Sequence, residues 1–317
     1  MRTPYRRANG GRIGLGLAAL GLLFAFPASA QAPGGIPGVV APGVQPELVQ
    51  EGYMFVEGPV GTADGGLLFS EIRVSKTYRL DPQGKISVAR ENTNGANGLA
   101  LDKNGDLISA EGDSHRITRR SANGTVTTLT EGTTARPLLA PNDLILDSKG
   151  GIYFTDPGPR PIVPGRPTSV YYLPAGAKEP KLIDSSITRP NGILLSQDQK
   201  TLIVDDTVGP NVFAFDIQPD GTLKNKRVFA QLHDLVTGQE SGADGSCIDR
   251  DDRAYITTAS GVQVFDKSGK YLGTIKAGRQ AANCAFAGPD KKTLYLTARE
   301  GLYRVRVLSQ GPNRLGK

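Results

Sequence analysis

Six polar residues recur along the chain, and each opens a copy of one short pattern. Every one offers a side-chain oxygen: Glu57, Asn97, Asn142, Asn191, Asp244 and Asn283. Carboxylate and amide oxygens form the hard ligand set that Ca2+ prefers, whereas zinc and copper favour imidazole or thiolate. The only histidines, His115 and His233, fall outside the six positions. The pattern predicts a site for Ca2+, with Zn2+, Mn2+ or Mg2+ as other candidate cations.

The repeat that carries these residues predicts the fold. A copy contains a short apolar strand, a turn and a second apolar strand, as in NGLALDKNGDLISAE from Asn97. A third and a fourth strand follow, and successive copies start 40, 45, 49, 53 and 39 residues apart. Such spacing is typical of four-stranded propeller blades. We therefore expect an all-β fold, a six-bladed β-propeller. The absence of Trp argues against WD-type and tryptophan-docking propellers.

Ring closure is predicted from the two ends of the repeat region. The last copy lacks a fourth strand, so we expect the segment 47–55 to supply it and to remove an exposed edge. The propeller then covers residues 46–308 and leaves a polar tail at 309–317. First strands line the channel of a propeller, which would gather the six polar residues into a ring. The alternative is that Asn and Asp before Gly are ordinary turn residues.

The first 45 residues differ in composition from the repeats. Four arginines precede an uncharged run of about 14 residues and Ala28-Ser29-Ala30, which predicts a signal peptide over 1–30 and a periplasmic or secreted protein. The run is shorter than the roughly 20 residues that span a bilayer, so no stable membrane insertion is expected after cleavage. The sequence does not distinguish between export by the Sec route and export by the twin-arginine route. The Gly/Pro-rich segment 31–45 is predicted to be a flexible linker.

Charge and cysteine content narrow the classes of function. Removal of the four leader arginines takes the net charge from +6 to about +2, and no basic run interleaved with aromatic residues occurs. Nucleic acid is therefore not an expected partner. Cys247 and Cys284 are the only cysteines. They could form a disulfide in an oxidising compartment or be two small buried residues.

Short motifs around the ring resemble the senescence marker protein/gluconolactonase/luciferin-regenerating-enzyme-like family. They are EGP at Glu57, PND at 141–143, RPNG at 189–192 and DG at Asp244, and the resemblance extends to about Val307. It implies a calcium-dependent lactone hydrolase with a small-molecule lactone or ester substrate. Its metal ligands would be Glu57, Asn142, Asn191 and Asp244. Asn97 and Asn283 share the repeat phase but are not ligands in the family pattern.

The sequence departs from the family near the expected substrate pocket. Leu139-Ala140 precedes PND where bacterial gluconolactonases carry polar residues, and Glu111-Gly112-Asp113 replaces a Glu-His-Gly motif. The metal ligands are retained, but sugar specificity does not follow. A Pro-rich insert at 157–167 is either a lid or a rigid surface loop. Its Arg160 and Arg166 would offer cationic contacts to an acidic substrate.

The expected chemistry centres on Asp244. It would act as the base that activates water beside the cation-polarised carbonyl, and direct nucleophilic attack by Asp244 is the alternative. Asn97, Glu111 and Asp206 are candidate substrate contacts, with a solvated strand-end carboxylate as the alternative for Glu111 and Asp206.

Two other functions compete with lactone hydrolysis. One is a calcium-dependent esterase or phosphotriesterase that uses the same metal site. The other is a non-catalytic exported binding propeller, in which a closed and fully coordinated calcium is structural. A serine hydrolase is not expected, because the chain has no G-x-S-x-G motif.

Overall fold

Strands alone form the regular structure of residues 34–314, which are the residues described by this computed structural model. The predicted leader, 1–30, lies outside the described residues, as do 31–33 and 315–317. Between residues 34 and 314 there is no helix long and apolar enough to cross a membrane.

Six four-stranded antiparallel sheets form the blades. The chain enters with β1 (Glu47–Glu51), which belongs to blade 6. Blade 1 contains β2 (Val56–Gly61), β3 (Leu67–Glu71), β4 (Lys76–Leu80) and β5 (Ile86–Glu91). Blade 2 contains β6 (Ala96–Leu101), β7 (Leu107–Glu111), β8 (Arg116–Arg120) and β9 (Val126–Thr130). Blade 3 contains β10 (Leu144–Leu146), β11 (Ile152–Asp156), β12 (Ser169–Leu173) and β13 (Lys181–Asp184).

The remaining blades repeat this order. Blade 4 contains β14 (Pro190–Leu195), β15 (Thr201–Asp206), β16 (Asn211–Ile217) and β17 (Leu223–Gln231). Blade 5 contains β18 (Ser246–Ile248), β19 (Ala254–Thr258), β20 (Gly261–Phe265) and β21 (Tyr271–Ile275). Blade 6 contains β22 (Asn283–Ala287), β23 (Thr293–Ala298), β24 (Gly301–Arg306) and the N-terminal strand β1.

The N-terminal strand closes the ring. Strand β1 pairs antiparallel with β24, with Glu47 opposite Arg304 and Glu51 opposite Gly301. The exposed edge of β24 is thereby covered, which removes a site for unwanted strand pairing. The prediction of a six-bladed β-propeller closed by an N-terminal strand is confirmed.

Burial changes systematically from the channel to the rim of each blade. The second strands β7, β11 and β19 are buried at every residue, because they lie within blades whose two faces both pack against neighbouring blades. The outermost strands β1 and β5 are mostly exposed. The apolar clusters lie between adjacent blades, as Phe69 of blade 1 and Leu302 of blade 6 illustrate. Burial of these clusters holds the blades at fixed angles around the channel.

The segment predicted to be a flexible linker is packed where it is described. Ile36, Val39 and Val40 are buried in one apolar cluster with side chains of blades 5 and 6, and Val39 is completely inaccessible. The Val39 carbonyl also accepts a hydrogen bond of 2.8 Å from the backbone N–H of Leu308. For residues 34–45 this corrects the interpretation of the segment as a tether: Gly and Pro here shape turns that present three apolar side chains to the core.

Candidate metal centre and active site

A cavity of about 600 Å³ lies at the hub of the propeller. Five of the six polar residues that open the repeats line it: Glu57, Asn97, Asn142, Asn191 and Asp244. All five come from different blades, and they meet because each stands at or just before the start of a channel-lining strand. The sequence repeat therefore places five side chains with oxygen atoms around one cavity.

Irregular pairing at the start of the first strands accompanies this arrangement. The ladder shifts register between Glu57 and Val60 in β2, and similar shifts lie within β6 and β14. In blades 3 and 5 the ladder begins only after Asn142 and Asp244. A bulge or a break in pairing re-aims a side chain relative to a regular strand. Five ring residues thus sit where the backbone departs from the regular sheet.

Glycines beside the ring allow neighbouring blades to touch through their backbones. The N–H of Gly98 donates to the carbonyl of Asn142 at 2.8 Å, and a Cβ on Gly98 would lie 2.7 Å from that oxygen. Gly58 adopts a φ of 45°, and a Cβ there would collide with the carbonyl of Asn97. Side chains at these positions would force the blades apart. Glycine at both positions is therefore what allows the backbones of neighbouring blades to approach this closely.

Asn283 differs from the other five residues of the repeat. Strand β22 pairs regularly with β23 from its first residue, with Asn283 opposite Thr297. The Asn283 Nδ2 donates to Glu57 Oε2 at 3.0 Å, and its Oδ1 accepts the backbone N–H of Cys284 at 2.8 Å. Asn283 consequently orients Glu57 and has its amide engaged by protein groups, which agrees with its exclusion from the ligand set that the resemblance implies.

Two ring amides carry oxygens that lack protein partners. Asn191 Oδ1 and Asn97 Oδ1 are buried, and neither has a hydrogen-bond partner within residues 34–314. An amide oxygen withdrawn from water without a partner costs about 1–3 kcal/mol. Groups in this state point to a ligand that they would coordinate or bind.

The acidic residues of the ring repel one another. Burial raises the pKa of Asp244 well above its ordinary range, and the negative charges of Glu57 and Asp143 raise it further. The positive charge of Arg299 and a hydrogen bond from Asn191 oppose this rise in pKa. A divalent cation would relieve the repulsion between Asp244 and Glu57.

The donor chemistry of the ring fits an oxygen-seeking cation. Between residues 34 and 314, no three His, Cys, Asp or Glu side chains gather into a metal-binding group, so amide oxygens would have to complete any site. Two carboxylates and two amides, from Glu57, Asp244, Asn142 and Asn191, match the ligands that Ca2+ takes and not those of a zinc or copper centre.

Glu111 does not line the cavity, contrary to the prediction that it contacts substrate. Its buried carboxylate lies 2.6 Å from Arg90 and 2.9 Å from Arg116, and it also accepts hydrogen bonds from Asn94 and Thr118. Burial opposes its ionisation, but the hydrogen bonds from Arg90, Asn94 and Arg116 prevail and lower its pKa. Glu111 is therefore an ion-pair centre that joins the strands of blades 1 and 2.

Glu111→Gln is expected to reduce the free energy of unfolding by about 3 kcal/mol at pH 7, because Arg90 would keep a buried charge without a counter-ion. The loss should shrink as the pH falls below 4.5, the ordinary value, since protonation then removes the same charge from the wild type. Urea unfolding monitored by circular dichroism measures it. Glu91→Gln, which removes the exposed partner of Lys76, is the control and should cost less than about 1 kcal/mol. Equal effects of the two variants would contradict this role.

Asp206 is likewise a positioning residue and not the predicted substrate contact. Its Oδ1 accepts the backbone N–H groups of Arg189 at 3.0 Å and Val208 at 3.1 Å. Asp156, at the same place in blade 3, accepts the N–H groups of Leu139 and Ala140, both at 2.8 Å. Carboxylates at the ends of second strands thus fix the loops that lead into the ring.

A further carboxylate, Asp205, lies beneath the ring. In blades 1 and 3 a hydroxyl at this position bridges to the next blade: Ser70 donates to the carbonyl of Asn97 at 2.7 Å, and Thr155 to that of Asn191 at 2.8 Å. Asp205 Oδ1 accepts the N–H of Gly192 at 3.0 Å, whereas its buried Oδ2 has no hydrogen-bond partner in the described range. Burial raises the pKa of Asp205 well above 3.8, and the charge of Asp244 adds to the rise.

Asp205→Asn is expected to raise the melting temperature in calcium-free buffer at pH 8. In the unfolded chain this carboxyl ionises near pH 3.8, whereas in the folded protein it keeps its proton to a higher pH. Between these two pKa values, rising pH favours the unfolded state. Stability of the wild type therefore falls as the pH rises above 3.8, and the amide avoids this loss. Thermal unfolding from pH 4 to pH 8 should show a difference that grows with pH. A constant difference would mean that Asp205 does not titrate abnormally.

Three arginines complete the cavity wall: Arg160, Arg189 and Arg299. Arg160 lines the cavity as expected, but Glu240 engages it through two hydrogen bonds of 2.9 and 2.8 Å. Arg166, the other arginine expected to meet substrate, donates to the carbonyl of Pro137 and does not line the cavity. The RPNG motif marked Arg189 without assigning it a role, and no repeat position marked Arg299.

Fold and site together define a class: a β-propeller whose channel carries an oxygen-rich ring at the hub. A family model described as "SMP-30/Gluconolactonase/LRE-like region" matches residues 55–300, and the chain belongs to that family. The resemblance inferred from the sequence motifs is thereby confirmed.

Similar proteins agree with this family. Gluconolactonase from Zymomonas mobilis is 24% identical over 299 residues, which span 84% of this chain and 82% of that protein. A gluconolactonase structure from Xanthomonas campestris is 29% identical, with a TM-score of 0.73 over 82% of this chain and 88% of that chain. A calcium-binding protein, regucalcin, from Agrobacterium tumefaciens has a TM-score of 0.72 at 21% identity, covering 86% of this chain and 98% of its own, which shows the shared fold.

Proposed function

We propose that this protein is a calcium-dependent lactone hydrolase whose active site is the hub cavity. The observation that carries the proposal is the meeting of Glu57, Asn142, Asn191 and Asp244 in one cavity, with an unpartnered buried oxygen on Asn191. Relatives named as gluconolactonases, from Zymomonas mobilis and Xanthomonas campestris, support the reaction class. The calcium-binding relative from Agrobacterium tumefaciens supports the choice of cation.

The ring residues would have different roles in binding the cation, orienting its ligands and contacting the substrate. Glu57, Asn142, Asn191 and Asp244 would hold the cation, which supplies Lewis-acid polarisation of the lactone carbonyl when bound. Asn283 fixes Glu57 through its 3.0 Å hydrogen bond, which keeps that ligand in place before substrate arrives. Asn97, with its unpartnered Oδ1 in the cavity wall, accepts a hydrogen bond from substrate or water.

Asp244 is the residue to which we assign the proton transfer. Its carboxylate lines the cavity, and neither histidine of the chain lines that cavity to serve as an alternative base. We propose that Asp244 accepts a proton from the water that attacks the lactone carbonyl carbon, and that this proton passes to the ring oxygen when the acyl C–O bond breaks. Hydrolysis in 18O-labelled water under single-turnover conditions tests this choice, because label found in the Asp244 carboxylate would instead assign nucleophilic attack to it.

Removal of the cation is expected to abolish hydrolysis and to lower the melting temperature. Chelation should restore the repulsion between Glu57 and Asp244, and calcium at 100 times its dissociation constant should stabilise the fold by about 2.7 kcal/mol. A panel of gluconolactone and simple aliphatic lactones, assayed with calcium, with chelator and after calcium is restored, provides the measurement. Tight calcium binding without turnover of any lactone or ester would favour a binding propeller.

We also propose that the protein is exported. The support is the arrangement of residues 1–30, with four arginines before an apolar run and small residues at 28–30. Fractionation of cells expressing the tagged chain, with N-terminal sequencing of the product, tests this. A cytoplasmic product that retains Met1 would contradict it.

A further inference from the structure

The three arginines of the cavity wall are engaged to different degrees. The Arg189 guanidinium donates to the carbonyls of Pro157, Gly158 and Pro159 at 3.1–3.4 Å. It is therefore committed to holding the Pro-rich insert. Arg160 is neutralised by the two hydrogen bonds that it donates to the carboxylate of Glu240. Both cations already have the acceptors that such groups require when they are withdrawn from water.

Arg299 is positioned without being neutralised. Its guanidinium lies over the ring of Phe55, 5.1 Å from the ring centroid, and it donates one hydrogen bond of 2.6 Å to Gln280. None of the salt bridges found within residues 34–314 includes Arg299, although its positive charge opposes the rise in the pKa of Asp244. A guanidinium carries five N–H donors, so most of them remain available. Stacking on an aromatic face and one amide contact fix its plane without neutralising its charge through a salt bridge.

The backbone turn that contains Arg299 also fixes the position of this residue at the cavity wall. Arg299 lies between β23 and β24 with a φ of 56°, a left-handed conformation that is uncommon for a residue with a side chain. The N–H of Val56 in blade 1 donates to its carbonyl at 2.9 Å, which holds this turn against the strand that carries Glu57. Its side chain is thereby held at the cavity wall, and both Phe55 and Gln280 line the same cavity.

Charge balance in the cavity favours an anionic ligand. The lining side chains include three arginines and three carboxylates, those of Glu57, Glu240 and Asp244, so their formal charges cancel. A divalent cation at the ring would leave the cavity with a net positive charge. Arg299 is the arginine of the wall that presents an uncommitted fork, which is the geometry that binds carboxylate or phosphate through two parallel hydrogen bonds.

We propose that Arg299 is a specificity-determining residue that binds a carboxylate on the substrate, so that the preferred lactones are anionic. The inference rests on the proposed lactone hydrolysis and adds the substrate class. The ring would act on the lactone carbonyl while Arg299, held by Phe55 and Gln280, receives the carboxylate at the other part of the molecule.

A matched pair of lactones tests the proposal. Glucaro-1,4-lactone carries a carboxylate where glucono-1,4-lactone carries a hydroxymethyl group. The wild type should have the higher kcat/KM for the anionic lactone, and Arg299→Gln should lower the ratio of the two kcat/KM values by about 10- to 100-fold. Arg299→Lys should recover part of the ratio. Arg304→Gln, which removes an exposed arginine bound to Glu47, is the control and should not change it. Assays use saturating calcium, because the charge of Arg299 acts on Asp244.

Binding measurements separate this proposal from the hydrolytic one. Tetrahydrofuran-2-carboxylate and tetrahydrofurfuryl alcohol are a similar pair that cannot be hydrolysed, and saturation-transfer NMR reports their binding. Selective binding of the carboxylate that is lost in Arg299→Gln supports the proposal even where no lactone is opened. An unchanged ratio of kcat/KM in Arg299→Gln, or equal binding of the two probes, would overturn it while leaving lactone hydrolysis intact.

Discussion

Asp244→Asn is expected to lower kcat for lactone hydrolysis by about 10³-fold, the loss that removal of a positioned general base produces. The amide keeps an oxygen toward the ring and has nearly the same volume as the carboxylate, so the cavity should keep its shape. Steady-state kinetics at saturating calcium measure the loss. Calcium affinity, followed by calorimetry, should fall as well because one carboxylate ligand is replaced.

Asp206→Asn is the matched control for this effect. Asp206 is also a buried carboxylate near the ring, but its Oδ1 is used by the N–H groups of Arg189 and Val208, and an asparagine oxygen can accept both. Its kcat should remain within about threefold of wild type, since it contributes a backbone anchor and no proton transfer. If Asp244→Asn retained a third or more of kcat with calcium bound, the base would have to be another group.

The ring was predictable because its residues recur at one position of the sequence repeat. Residues at the same position of each repeat lie at equivalent places around the propeller axis, and five of the six residues at this position line the cavity. Asn283 has the same phase but a different orientation, and the reason lies in pairing: β22 is regular where the other first strands are bulged or start later. Periodicity in sequence specifies which strand a residue belongs to and carries no signal for a local bulge.

The environment of strand-end carboxylates was not predictable in the same way. Glu111 and Asp206 end second strands on the side of the cavity, so a role in substrate binding was a reasonable hypothesis. Their actual partners are Arg90, Arg116 and backbone N–H groups of neighbouring loops. The sequence offered no indication of Arg299, because its position depends on a left-handed turn and on Phe55, which is far away in sequence.

Composition misled the interpretation of the N-terminal segment. Residues 34–45 are rich in Gly and Pro and lack charge, which is typical of a linker, yet the segment carries three buried apolar side chains. The tether hypothesis and the packed segment predict opposite results for one substitution. In a tether, an acidic residue at position 39 would be solvated and harmless, whereas in the packed segment it would be buried.

Val39→Asp is expected to reduce the free energy of unfolding by at least about 5 kcal/mol, since it places a carboxylate in an apolar cluster and removes Val39 from the core. This is comparable with the whole stability of many domains, so the variant should be recovered mostly insoluble or unfolded. Val88→Asp on the outer strand β5, where Val88 is 45% exposed, supplies the control and should cost less than about 1 kcal/mol. Urea unfolding of the wild type and both variants makes the comparison. Equal stability of the two variants would mean that the N-terminal segment does not belong to the folded core, and that β1 closes the ring without its support.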